Sequence, residues 1–119
     1  MVHRVPIPFH QRFVSQILAR EKTVTRRPTP RHVGTLLRAK IPNGRKRPSE
    51  WPGFANLLVT DCRSVLLGAI DDAEARLEGF ASAEEFKEFW GTNIRSWDPA
   101  LPVWRIEFKV VKVGKEWKG

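Results

Sequence analysis

The pattern of apolar and polar positions along the 119-residue chain changes period several times. Val5, Ile7 and Phe9 alternate with prolines, as in a short edge strand, because proline cannot donate to an interior ladder. Phe9, Phe13, Ile17 and Leu18 then recur at helical spacing and predict an amphipathic helix over 9–19. The β-branched Thr23, Val24 and Thr25, with Pro28 restricting Arg27, turn the chain into a loop or short extended segment. Gly34 opens a strand over 35–41, and Pro42-Asn43-Gly44 ends it. Phe54 to Ile70 has β character throughout and predicts two strands or one bent strand.

Asp71 and Asp72 suit the cap of a helix beginning near Ala73. Ser82-Ala83-Glu84-Glu85 fits a capping box, with Phe86, Phe89, Trp90 and Ile94 forming the stripe of a second helix in which Gly91 is the weak point. From Val103 to Val110 the period is two, which marks a final strand with one buried face. The order of elements predicts a single α+β domain spanning 1–119, a small mixed barrel or curled sheet with helices on its flank. Arg45-Lys46-Arg47-Pro48 has too much like charge to pack, so residues near 43–53 are expected to form a mobile basic loop.

Charge sharpens this picture. The net charge is +8, and twelve of the 21 Lys and Arg residues lie in the first fifty positions beside only Glu21 and Glu50. Such a concentration suits one face meeting a polyanion, with RNA or a nucleotide the natural candidate. No apolar run is long enough for a membrane span, and the N-terminus lacks the apolar stretch of a signal peptide, so no membrane partner and a cytoplasmic location are expected. Cys62 is the only cysteine and His3, His10 and His32 have no ligand spacing, so no structural metal and no cofactor are expected. Trp51, Trp97 and Trp104 are candidates to stack on bases, whereas Trp90 reads as core.

The chemistry concentrates in Lys22-Thr23-Val24-Thr25-Arg26-Arg27, which puts an amine, two hydroxyls and two guanidinium groups into six residues. Thr25 can supply a nucleophilic hydroxyl, and Lys22 a base if desolvation or the neighbouring Arg26 and Arg27 disfavour its charged form. Lys22 and Thr25 lie on opposite faces of a straight strand, so a turn of helical character is expected to bring them together. Arg26 is expected to face the site ahead of Arg27.

Phe9-His10-Gln11-Arg12-Phe13, Ile17-Leu18-Ala19 and the Lys22–Arg27 run resemble the opening of the ASCH superfamily, in the PUA-like fold group. Leu77-Glu78-Gly79-Phe80, Phe86-Lys87-Glu88-Phe89-Trp90 and Val103-Trp104-Arg105-Ile106-Glu107-Phe108 resemble its later segments in the same order. The resemblance implies a PUA-like mixed β-barrel of about five to six strands flanked by two to three helices. The N-terminal part is most similar to the small bacterial amidohydrolases that deacetylate N4-acetylcytidine, whose catalytic Lys, Thr and Glu would map onto Lys22, Thr25 and Glu78. It implies RNA or a modified nucleoside as partner, with Thr23, Arg26 and Arg27 as binding residues; the basic loop near 43–53 is not covered by the resemblance, and by its charge Arg45, Lys46 and Arg47 would contact phosphate. Other ASCH proteins are regarded as non-catalytic RNA-binding modules or as ribonucleases acting on single-stranded RNA, and both alternatives stay open. The basic insertion and the tail through Lys115-Glu116-Trp117-Lys118 depart from the small amidohydrolases and could re-route the cleft toward a larger ligand.

Overall fold

A computed structural model describes residues 4–113; the tail at 115–118 and His3 lie outside the described residues. Five strands, β1 (Val5–Pro8), β2 (Val24–Arg27), β3 (Leu36–Lys40), β4 (Gly53–Leu66) and β5 (Pro102–Val113), form one mixed sheet in the order β1-β3-β4-β5-β2. Only the β1 and β3 pair is parallel. Three helices, α1 (Val14–Leu18), α2 (Asp72–Leu77) and α3 (Ala83–Asn93), complete the architecture. The result is the curled α+β half-barrel that the order of elements predicts.

The long β4 and β5 ladder is the spine. Its register shifts between Asn56 and Leu57 and again between Val59 and Asp61, and such bulges add bend and twist to a strand. The region of β character from Phe54 is therefore one bent strand. Curling brings the two sheet edges, β1 and β2, toward one another. The gap between them is bridged by a side chain, where Arg27 Nη2 on β2 donates to the Pro8 carbonyl at the end of β1 at 2.8 Å. Inside the curl lies a core that includes Ile7, Phe9, Leu37, Phe54, Leu57, Val59, Ile106 and Phe108, each nearly or fully buried.

The predicted helix over 9–19 is shorter and begins with a 3-10 turn at Gln11–Phe13, because His10 Nδ1 accepts from the Arg12 amide at 3.1 Å and fixes the chain's entry. α2 starts where expected: Asp71 accepts from the Glu74 amide at 2.8 Å. In α3, Ser82 Oγ accepts from the Glu85 amide at 3.2 Å, while the Glu85 carboxylate reaches one residue further back than a capping box requires, to the Ala81 amide. β5 departs from a strand with one buried face. Arg105 and Ile106 are both buried, because α2 covers the side of β5 opposite the core.

The basic segment folds back on itself. Trp51 Nε1 donates to the carbonyls of Asn43 and Lys46, and Lys40 Nζ donates to that of Pro48. Trp51 is thereby a strut for the loop, while Arg45, Lys46 and Arg47 stay exposed. Among the described residues no helix is long and apolar enough to cross a membrane, and no group of three His, Cys, Asp or Glu side chains is gathered as for a metal ion.

Gly79 ends α2 at a φ of 96°, and a side-chain carbon there would collide with the Gln16 amide, which already donates to the Gly79 carbonyl at 3.0 Å. Gly79→Ala should therefore destabilise the fold by about 1–3 kcal/mol, from left-handed strain plus displacement of Gln16. Urea denaturation at neutral pH measures this, and an unchanged midpoint would contradict it.

Candidate functional site

The open seam of the half-barrel carries the site. β1 ends at the seam with Pro8, Phe9 and His10, β2 and the residues before it supply Lys22 to Arg27, and α2 and α3 close it from outside. A cavity of about 300 Å³ lies there, at the small end of the range for ligand sites. One wall is aromatic: Phe13, Phe80 and Phe89 meet edge-on or tilted at centroid distances of 5.3–5.5 Å, and Phe86 and Trp90 continue the wall. The polar part of the lining is formed by Lys22, Thr25, Arg26, Arg27 and Glu78.

Glu78 organises the polar wall. It sits at the end of α2, one turn after Glu74, so both carboxylates share a helix face. Arg26 spans the two, with Nη1 donating to Glu78 Oε2 at 2.9 Å and Nη2 to Glu74 Oε1 at 2.8 Å. Arg105 on β5 donates to both Glu74 oxygens, at 2.6 and 3.1 Å, and to Glu107 at 3.2 Å. Hydrogen bonds from Arg105, then from Arg26, pull the Glu74 carboxyl down to about 2 in spite of partial burial, and the same pairing raises Arg105. The network ties α2 to β2 and β5, and a backbone bond from the Thr23 amide to the Leu77 carbonyl holds the same junction.

Lys22 is 2% exposed. Its Nζ donates to the Glu78 carbonyl at 2.6 Å, the Val24 carbonyl at 2.9 Å and Glu78 Oε1 at 3.3 Å, and it lies 4.6 Å from the centroid of the Phe13 ring. Three acceptors match the three protons of an ammonium. Burial is nevertheless the largest influence on its pKa and, with Arg27 and Arg26 adding to it, outweighs the attraction of Glu78, bringing Lys22 down from 10.5 to about 8. Thr25 is 4% exposed, and its Oγ1 accepts from Arg27 Nε at 3.1 Å, leaving the hydroxyl proton free to be donated.

Lys22, Thr25, Arg26, Arg27 and Glu78 thus share one cavity, although the first and the last are 56 positions apart in the chain. The helical turn expected to unite Lys22 with Thr25 is not how the chain does it. Val24 to Arg27 is an extended strand, and Lys22 precedes it, reaching the site by the length of its side chain and by anchoring on Glu78. Both arginines line the cavity, so Arg26 has no priority over Arg27. Thr23 serves the junction with α2 through its backbone and is not among the cavity-lining residues. Arg45, Lys46 and Arg47 also lie outside it, on a loop whose near end, Pro42, is at the cavity's edge. Trp51 and Trp104 are half-buried away from the cavity, and the tryptophan that lines it is Trp90. Glu74 and Arg105 are participants that the sequence reading missed. The spacing of four between Glu74 and Glu78 was the signal for the first.

Protein EF3133 from Enterococcus faecalis V583, of the family model DUF984, superposes with a TM-score of 0.70 at 14% identity, over 98% of this chain and 81% of that one. The ASCH domain from Lactobacillus crispatus JV V101 gives 0.60 at 13% identity, over 93% and 82% of the two chains. The fold is that of an ASCH domain. The S128A mutant of ZmASCH from Zymomonas mobilis agrees, with a TM-score of 0.64 at 12% identity over 91% of this chain and 68% of that one. No family model and no curated protein matches the sequence. At such identities it is the ASCH architecture that is shared, and the half-barrel seam is where this chain places its buried charges.

Glu78→Gln keeps the shape of the side chain but removes the carboxylate between Lys22 and Arg26. It should cost about 3–5 kcal/mol of stability, as breaking a buried ion pair does, measurable as a fall in the urea midpoint. Lys22 also fixes a pH dependence. Between pH 8 and 10.5 the unfolded chain holds a proton on Lys22 that the folded chain has released, so stability gains from this residue as pH rises through that window. Below about pH 8 the buried charge opposes folding in full. The stability of wild type relative to Lys22→Met should therefore rise from pH 7.5 to 9.5 in denaturant titrations, and a difference constant with pH would contradict the assignment.

Proposed function

We propose that the chain binds a nucleobase of RNA or of a modified nucleoside in the seam cavity, and that it hydrolyses the amide of N4-acetylcytidine there. The observation that carries this reading is the meeting of a hydroxyl, an amine and a carboxylate, from Thr25, Lys22 and Glu78, in one cavity with an aromatic wall. Aromatic rings suit a planar base, and a base stacked on them would present its exocyclic N4 group to the polar wall. The likeness to ASCH sequences at the motif Lys22–Arg27 supports the same reading.

In the proposed reaction the Thr25 oxygen attacks the acetyl carbon. The donor from Arg27 favours the developing alkoxide, and its proton passes by way of Lys22 to N4 as the C–N4 bond breaks. Water then cleaves the acyl-threonine ester and releases acetate. For Lys22 to accept the proton it must first give one up, and Glu78 Oε1, 3.3 Å from Nζ, is placed to take it. A pKa of about 8 keeps the neutral amine within reach at mildly alkaline pH. The cationic wall would stabilise the oxyanion.

A second reading is favoured by one observation. All three protons of the Lys22 ammonium are already engaged, and Thr25 is hydrogen-bonded by Arg27 rather than Lys22, an arrangement suited to holding a ligand without chemistry. The exposed Arg45, Lys46 and Arg47 would then add sequence-independent contacts to RNA phosphates.

Incubation with N4-acetylcytidine, read by mass, separates the two. The enzyme should release acetate and cytidine, faster at pH 8.5 than at pH 7, and Lys22→Ala or Thr25→Ala should lower the rate at least about a hundredfold, the usual scale for losing a positioned acid–base group. Absence of turnover by wild type would reject hydrolysis. Binding of short RNA that weakens steeply with salt, and weakens further on substituting Arg45, Lys46 and Arg47, would then favour the binding module.

A further inference from the structure

Arg27 differs from the other cations of the site. Its Nε donates to Thr25 Oγ1, its Nη2 donates to the Pro8 carbonyl, and its guanidinium carbon lies 4.9 Å from the centroid of the Phe9 ring. All three partners are neutral. Lys22, Arg26 and Arg105 each make a salt bridge to a carboxylate, whereas Arg27 makes none among the described residues. Arg31 adds repulsion from nearby, and its own buried Nε has no partner. Burial first, then Arg31, lowers Arg27 from 12.5 to about 10 in spite of attraction from Glu78.

The charges at the cavity are accordingly unbalanced: Lys22 pairs with Glu78 and Arg26 with Glu78 and Glu74, while Arg27, which lines the same cavity, has no salt bridge among the described residues. Arg27 is half-buried, and a partly desolvated cation without a salt bridge opposes folding, a cost that an anionic ligand relieves on binding. The two hydrogen bonds of Arg27 also leave three of the five guanidinium N–H groups, on Nη1 and Nη2, for a fork-like pair to one anion. Phosphate matches that fork, and the aromatic rings of the same cavity offer apolar faces to a base.

We propose that Arg27 is a phosphate subsite, so that the cavity takes a phosphorylated nucleoside, free or within RNA, in preference to the bare nucleoside. The base half of this proposal rests on the function argued above, and the phosphate half on Arg27 alone. The shared chemistry is a phosphate ester one ribose away from a stacked base.

The test is equilibrium binding, by calorimetry, of N4-acetylcytidine, its 5′- and 3′-monophosphates, a trinucleotide with the acetylated base in the middle, and inorganic phosphate. Wild type should prefer at least one phosphorylated form to the nucleoside by about tenfold or more, as for a charge-assisted bidentate contact. In Arg27→Gln that ratio should fall toward one, and in Arg27→Lys it should be intermediate, because the charge remains and the fork is lost. Preference for a monophosphate assigns the ligand to free nucleotides, and preference for the trinucleotide alone assigns it to RNA.

Equal affinity for nucleoside and phosphorylated forms in wild type would overturn the phosphate subsite while leaving the nucleobase reading intact. Inorganic phosphate bound as tightly as the nucleotides, with no contribution from the base, would keep the subsite and overturn the nucleobase reading. A preference unchanged in Arg27→Gln would also overturn the assignment. The wild-type comparison decides the matter even if that variant fails to fold once its bond across the seam is altered.

Discussion

The structure depends on a carboxylate that has been taken out of water with its counter-ions. Glu78 lies between Lys22 and Arg26, all three almost fully buried, and Glu74 extends the arrangement to Arg105. A buried ion pair does not by itself strengthen a fold, because desolvation offsets much of the attraction. It does dictate geometry, since any displacement of α2 from β2 would leave charges unpaired in a poor dielectric. The short α2 is consequently held in register with two strands by groups that would otherwise be a liability, and the cavity inherits that register.

The same constraint accounts for what could and could not be read from the chain. The extended run of β5, the Asp71 cap and the Ser82 cap are local, and each depends on neighbours within a few residues, so they appear in the sequence much as they do in the structure, although the burial along β5 does not follow the alternation. Arg105 escaped because period-two reasoning assigns polar positions to solvent, whereas here a helix covers that face and supplies the carboxylate that makes burial tolerable. Convergence of Glu78 on Lys22 depends on sheet curl and on register shifts in β4, neither of which leaves a mark near positions 22 or 78. The motif at 22–27 was visible as chemistry, yet its conformation was not, since β-branched residues before a proline suit a turn as well as an edge strand.

The aromatic and cationic walls are complementary in a way that follows from the architecture. Aromatic side chains come mainly from α1's entry and from α3, while Arg26 and Arg27 come from β2, which has a hydrogen-bonded neighbour on only one side, and Lys22 comes from the residues just before it. Because β2 is an edge strand, its unpaired side runs along the open seam, and Arg27 reaches across that seam to the Pro8 carbonyl. That places the polar groups along the cavity, with Lys22, Thr25 and Arg26 almost fully buried, beside rather than within the apolar core.

Among the described residues β2 pairs in the sheet with β5 alone, from Val24 with Glu107 to Arg27 with Trp104. During synthesis the motif emerges from the ribosome some eighty residues before the segment that docks it, and Arg105, which neutralises Glu74, arrives with that segment. Long-range pairing of this kind forms late. Until that segment has been made, Lys22 and Arg26 therefore remain hydrated and unassembled, and the seam acquires its paired charges in the same step that docks β2 on β5.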